Sequence, residues 1–344
     1  MISLYIPDYD WKGHILFEIF SLNSEGSLQI SSLASDYFSL VDDPADADWI
    51  LIPAFISSLT NSKGKAFIKK VSDQSESSKK PFGVFSNSDL IIDPGVENAI
   101  IFTPGAYSSR SNLVELPAIL PMDPLEKWFG GIWKPWNSNG PVLGFCGQAT
   151  LNPAKTLKDA LTVWKLKRKK KKGNSPYLLI PNFFPAWERG RLLKSLQHSS
   201  IRTEFIFRTR YKGGANSPEE KEKVEQDFYE NISNSLMTVC MRGMGNYSVR
   251  FYQTLALGRI PLWIDSDARL PFEDKINYEE FILRVPYKDR FNSERYIAEF
   301  LAKTSQEDLL EKQKRARKCW EENFQPKGML INLGEYLSKV ATEK

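Results

Sequence analysis

Histidine and cysteine are scarce in this chain: two of the first and three of the second among 344 residues. That scarcity leaves no Cys/His spacing able to build a zinc site. Cys146, Cys240 and Cys319 are odd in number and widely spaced, so they offer no disulfide framework and fit a reducing compartment. No window approaches the roughly 20 apolar residues that a helix needs to cross a bilayer. A charge of one sign is lacking too. The net charge is only +4, and the basic excess is gathered largely in one run, which excludes a nucleic-acid footprint over the whole surface. The opening Met-Ile-Ser-Leu-Tyr-Ile-Pro has no basic n-region, no long apolar stretch and no cleavage site, so no signal peptide and a cytoplasmic location are expected.

What is present describes a folded protein. Hydrophobic residues at 42% and charged residues at 26% rule out disorder over most of the chain. A length of 344 residues exceeds one ordinary core and predicts two domains. Short apolar runs alternate with longer mixed segments, the pattern of parallel strands separated by helices. The candidate strands of the first half are Ile2 to Ile6, Trp49 to Ile52, Phe82 to Phe85 and Ala99 to Phe102. Those of the second are Val142 to Cys146, Tyr177 to Ile180, Thr203 to Phe207, Leu236 to Met241, Leu262 to Ile264 and Phe281 to Val285. Between the halves, GGIWKPWNSNGP (130–141) is dense in turn formers and reads as the boundary. Pro218 to Ser233 reads as a helix, and Ser-Gln-Glu-Asp at 305–308 as the capped start of a long one.

The most informative stretch runs from 235 to 274. It reads as a buried strand, a turn with Gly243 and Gly245, a helix from about Tyr247 to Leu257, a C′ glycine at Gly258, and a strand opening at Pro261. The glycines allow close backbone approach, and the helix start offers free N–H groups. Arg250 stands in the first turn of that helix, where a cation opposes the macrodipole unless an anion is near. A lone Gly-x-Gly is more often a tight turn than a ligand site. Two arginines, Arg242 and Arg250, flanking one turn in a parallel-sheet setting point instead to a bound diphosphate.

Arg242-Gly-Met-Gly-Asn-Tyr-Ser-Val-Arg250, followed by Gly258-Arg-Ile-Pro261 and Leu270-Pro-Phe-Glu273, resembles the C-terminal signature of exostosin-type glycosyltransferases (glycosyltransferase family 47). DDPADADWILIPAF (42–55), PVLGFCG (141–147), Phe207-Arg208 and the run beginning at Arg189 resemble further landmarks in the same order. The resemblance implies an α/β, GT-B-like fold of two doubly wound, Rossmann-like domains facing a cleft. It implies an acceptor-side domain over 1–135, a donor-binding domain over 141–310, and helices over 311–344 packing back across the cleft. The activity implied is transfer of a sugar from a UDP- or GDP-linked donor to a glycan or glycolipid acceptor, inverting and metal-independent, in surface polysaccharide synthesis. By matching position, Arg242 and Arg250 would hold the diphosphate, Gly243, Gly245 and Ser248 would bring backbone against it, and Arg208 would add charge. Gln253 departs from the family's usual Glu, which bears on ribose binding. A member that kept the fold without turnover is the alternative.

An inverting transfer needs a base. Asp89 in FSNSDL and Asp123 in LPMDP are the candidates, with Asp8, Asp10 and His14 behind them, and each aspartate has a turn-capping role as its other reading. Asp265-Ser-Asp267 reads as a loop and not as a metal site. Seven of the eight residues Lys165 to Lys172 are basic. They read as a solvated helix end, with peripheral contact to an anionic membrane as the alternative.

Overall fold

The computed structural model describes residues 1–11, 16, 18–208 and 214–343; His14 lies outside them. The first half forms β1 (Ile2–Tyr5), a hairpin of β2 (Phe20–Leu22) and β3 (Leu28–Ile30), then β4 (Phe38–Val41), β5 (Trp49–Phe55), α1 (Ser62–Ser78), β6 (Phe82–Phe85), β7 (Ala99–Thr103), β8 (Leu113–Glu115) and α2 (Pro124–Phe129). Six of these strands make one parallel sheet, in the order β4-β1-β5-β6-β7-β8. The second half contributes β9 (Leu143–Gln148), α3 (Pro153–Lys171), α4 (Pro185–Gln197), β10 (Thr203–Arg208), α5 (Pro218–Asn234), β11 (Met237–Met241), α6 (Val249–Ala256), β12 (Ile260–Asp265), β13 (Leu283–Pro286), α7 (Ser293–Lys303), α8 (Gln306–Asn323) and α9 (Pro326–Thr342). Its parallel sheet runs β10-β9-β11-β12-β13. These are two doubly wound domains, and the α/β expectation holds.

The near-continuous apolar run of β5 follows from burial on both faces. Its side chains alternate with period two: Trp49 and Leu51 join the cluster beneath α9, while Ile50 and Ile52 join the one beneath α1. In the second sheet Val239 and Met241 face Leu192 and Leu193 of α4, and Cys240 faces α6 and α8. The three cysteines are buried and free, serving as small apolar fillers.

Helix α8 begins at a reciprocal capping box between Ser305 and Asp308 and packs on α6 in the second domain. The chain then turns at Phe324 to Pro326, and α9 docks on the first sheet. There Leu330, Leu333 and Leu337 are fully buried and Leu337 accepts a 2.8 Å hydrogen bond from Trp49 Nε1. Burying three leucines at about 1.5–3 kcal/mol each clips the end of the chain to the opposite domain.

One expected strand is absent. Tyr177 to Ile180 makes only a single antiparallel bridge, Tyr177 to Ile92 of the first domain, and Tyr177 and Leu178 pack on that domain's core. Pro176 and Pro181 flank the segment without amide donors, so no ladder extends from it. Strands β4 and β8, which lack the long apolar runs of their neighbours, escape a reading by hydrophobic pattern.

Candidate functional site

In a doubly wound sheet, ligands gather at the carboxyl ends of the strands where the order reverses. In the second sheet that point lies between β9 and β11. Strand β11 is buried throughout and ends at Met241. The turn that follows delivers the chain to α6, whose first residues face back to the end of β9. Ser248 occupies the N-cap position of α6 but its side chain makes no cap bond.

Arg250 reaches across the switch point. Its Nη2 donates to the Cys146 carbonyl at 2.9 Å, and its guanidinium lies 4.2 Å from the Phe145 ring centroid and 5.6 Å from that of Phe228. Its Nε is buried without a partner. Gly147 makes room for it: a Cβ there would come within 2.6 Å of Arg250 Nη2. Burial lowers the pKa of Arg250, and nearby Arg208 adds to the effect. Arg208, at the end of β10, donates to the Val224 carbonyl at 2.7 Å and lies 3.7 Å from Asp227.

A third arginine joins them. Arg189 stands on α4, which is pressed against the loop after β9 because Gly190 has no side chain; a Cβ there would meet the Thr150 carbonyl oxygen at 2.5 Å. Arg189 Nε is buried and unpartnered, and its pKa falls to about 9, through burial first and the charge of Arg250 second. Cationic N–H groups enclosed without acceptors are costly. An anion with several oxygens between Arg189 and Arg250 removes that cost.

Arg242 is placed otherwise. It is 5% exposed, and its Nη1 donates to Asn246 Oδ1 at 2.8 Å while Nη2 donates to the Met244 carbonyl at 2.9 Å and Tyr107 Oη at 3.2 Å. These bonds fold the turn and tie it to the first domain. The guanidinium expected to grip a diphosphate is thus engaged within the protein. Gly243 borders open space, whereas Gly245 admits a close approach: a Cβ on it would lie 3.0 Å from the Asp89 carbonyl oxygen. Asn246 extends the tie, donating from Nδ2 to the Ala106 and Asp267 carbonyls at 3.2 and 3.1 Å. Gln253 donates to Tyr229 Oη at 3.1 Å, so its amide is directed at α5.

The two candidate bases part company. Asp89 follows β6 in the first domain, is exposed, and accepts a 3.1 Å hydrogen bond from Tyr247 Oη beside the glycine turn. Asp123 caps α2, accepting from Leu125 N at 2.9 Å, and is paired with Arg317 at 2.5 Å. Arg317 also donates to the Ala256 carbonyl, which puts Asp123 beside the C-terminal end of α6, opposite the end near Arg250. The base role expected of Asp123 is therefore replaced by a structural one. Asp265 is paired with Arg284 at 3.1 Å, and Asp267 accepts from Ser109 Oγ at 2.6 Å. Among the described residues no group of three or more His, Cys, Asp or Glu is arranged to hold a metal.

Between the domains, at the carboxyl ends of β6 and β7, lies a cavity of about 330 Å³. Phe55, Phe85, Phe102, Leu116 and Ile119 line it, and Tyr247 and Val249 close it from the second domain. Ser86, 2% exposed, presents a hydroxyl there that has no partner among the described residues.

No family model matches the chain, and no curated protein matches it. Among solved structures it is similar to a GtfA/B complex, at 10% identity and a TM-score of 0.38 over 86% of this chain and 58% of that one. It is similar to the pneumococcal O-GlcNAc transferase GtfA in complex with UDP and GlcNAc, at 9% and 0.34 over 85% and 56%. A third is a glycosyltransferase from Rickettsia africae, at 12% and 0.33 over 91% and 87%. The chain spans little more than half the length of the first two.

Sequence reasoning gave no role to Gly147, Ser86, Asn246 or Arg189, which it met only inside longer motifs. Gly147 carried a usable signal, since it nearly ends the strand that flanks the switch point.

Proposed function

We propose that the protein is a glycosyltransferase, exostosin-like in its donor turn, that transfers a sugar from a nucleoside-diphosphate donor to an acceptor hydroxyl. The observation that carries this reading is the pair of arginines, Arg189 and Arg250, with buried unpartnered N–H groups at the switch point of the second sheet. In this reading the diphosphate of the donor takes up these N–H groups, and Arg208 adds charge. As the bond from the anomeric carbon to the diphosphate oxygen breaks, charge builds on that leaving group, and fixed cations stabilise it more than the ground state. They supply the charge neutralisation for which a divalent ion serves elsewhere, so transfer proceeds without added metal.

Asp89 is the base in this reading. Exposed beyond the end of β6, it takes the proton of the acceptor hydroxyl as the oxygen attacks the anomeric carbon from the face opposite the diphosphate, which inverts the centre. Tyr247, which donates to Asp89, sets the carboxylate's orientation. The apolar cavity beside them favours an acceptor whose sugar is joined to an apolar portion, as in a glycolipid, with Ser86 Oγ as a polar contact. A role in surface polysaccharide or glycolipid synthesis follows from that acceptor class.

Melting curves with UDP, GDP and their sugars, followed by product analysis with excess chelator present, test the proposal. Stabilisation by one nucleoside diphosphate and product of inverted configuration in chelator are expected. Absence of any nucleotide effect, or activity restored only by manganese, would overturn it.

A further inference from the structure

Helix α3 displays a surface that the transfer reaction leaves unexplained. Leu157, Leu161 and Trp164 are 62%, 50% and 55% exposed. At 3.6 residues per turn they fall within about 60° of one another, one stripe along the helix. The opposite side faces the protein: Val163 is buried, and Asp159 and Leu166 are half-buried. Exposed Lys158, Lys165 and Lys169 flank the stripe on one side and Lys167 and Lys171 on the other, with Arg168 lying 5.4 Å from the Trp164 ring centroid.

A solvated helix end accounts for part of this. Arg168 to Lys171 fill the last turn of α3, where cations favour the macrodipole. That reasoning does not extend to Lys165 or Lys167, each of which has a like charge four residues on, an unfavourable pairing. It says nothing of two leucines and a tryptophan left in water. A polyanion would answer the lysines and not the stripe. An anionic bilayer answers both, because the apolar side chains enter the acyl boundary while the flanking amines remain among acidic headgroups.

We infer that α3 is an interfacial helix that docks this protein on membranes containing anionic lipid. No helix among the described residues is long and apolar enough to cross a membrane, so the attachment is by the face of α3 and is reversible. The inference stands apart from the transfer chemistry.

Cosedimentation of the whole protein with vesicles tests it, comparing purely zwitterionic vesicles with vesicles carrying about one-third phosphatidylserine or phosphatidylglycerol. Binding to the anionic vesicles only, weakening steeply with salt, is expected. The triple variant Leu157→Ser/Leu161→Ser/Trp164→Ser should lose about tenfold or more of that binding with its melting curve unchanged. Lys165→Ser/Lys167→Ser/Lys169→Ser/Lys171→Ser serves as a second probe and should lose at least as much. No binding to anionic vesicles would overturn the inference. So would binding that tracks the lysines alone and is matched by heparin or DNA, which would mark a polyanion surface.

Discussion

Arg189 on α4 and Arg250 on α6 are two like charges, each with a buried Nε that has no partner; the charge of Arg250 adds to burial in lowering the pKa of Arg189, and neither forms an ion pair among the described residues. Folding alone gains nothing from that pairing. Substituting either should therefore be tolerated or mildly stabilising without ligand, and damaging to transfer. Arg189→Met and Arg250→Met are each expected to keep or raise the melting temperature while lowering kcat/KM by on the order of 100-fold, the scale for loss of one fixed donor to a developing anion. Melting curves with and without nucleoside diphosphate check both halves. A variant that melts higher with nucleotide, as is expected of the parent, and turns over normally would remove these arginines from the site.

Arg242 should behave in the opposite way. Its guanidinium donates to Asn246, Met244 and Tyr107; Arg242→Ala leaves Asn246 Oδ1 with Ser266 Oγ but takes this donor from the half-buried Met244 carbonyl and Tyr107 hydroxyl. A loss of about 2 kcal/mol or more is expected, at roughly 1–3 for each buried group left unpaired. Denaturant titration measures it. Stability equal to the parent would show that the turn does not depend on this side chain.

Gly147→Ala probes the place of Arg250, with added strain at a φ of 157° that side chains rarely adopt. The added methyl would stand 2.6 Å from Arg250 Nη2 and must displace it. Calorimetry with the nucleoside diphosphate is expected to show affinity lower by about tenfold, the loss of roughly one charge-assisted hydrogen bond, with a normal far-ultraviolet spectrum. Unchanged affinity would mean that Arg250 does not need its place over Phe145 to bind anions.

Glu115 predicts a pH dependence of stability. It is 4% exposed, accepts from Ala106 N at 2.5 Å, and burial pushes its carboxyl well above the ordinary 4.5. The folded chain holds this proton where the unfolded chain releases it, so the contribution is full below 4.5 and is lost as pH rises through the folded value. Glu115→Gln, which keeps an oxygen for Ala106, removes that loss, and its melting temperature should gain on the parent's steadily as pH rises from about 5 to 8. A constant offset would show that Glu115 is ionised in the fold.

Asp89→Asn tests the base. The substitution keeps an oxygen for the Tyr247 hydroxyl while abolishing basicity, so kcat should fall by about 10²–10⁴-fold with nucleotide affinity unchanged. Turnover at the parent rate would shift the role to another group.

The sequence alone determined a good deal about this protein. Periodicity located most strands of both sheets, because residues buried on two faces must be apolar and β5 and β11 have no alternative. The box at Ser305 and Asp308 and the left-handed Gly258, with φ of 60°, were legible because capping and C′ turns depend on residues a few positions apart. The turn from Arg242 to Arg250 was legible for the same reason. What only the tertiary structure decided is which side chains are free to act. Arg242 and Arg250 read alike in the sequence, yet one donates to Asn246, Met244 and Tyr107 and the other is left with a buried unpartnered Nε. Asp89 and Asp123 read alike too, until α8 brings Arg317 to one and the glycine turn brings Tyr247 to the other. Arg189 enters the site only because Gly190 allows α4 against Thr150. The exposed stripe of α3 was hidden by the lysines beside it. Asp89 and Asp123 meet partners 158 and 194 residues away along the chain, and no local pattern encodes a partner that only the packing of another element supplies.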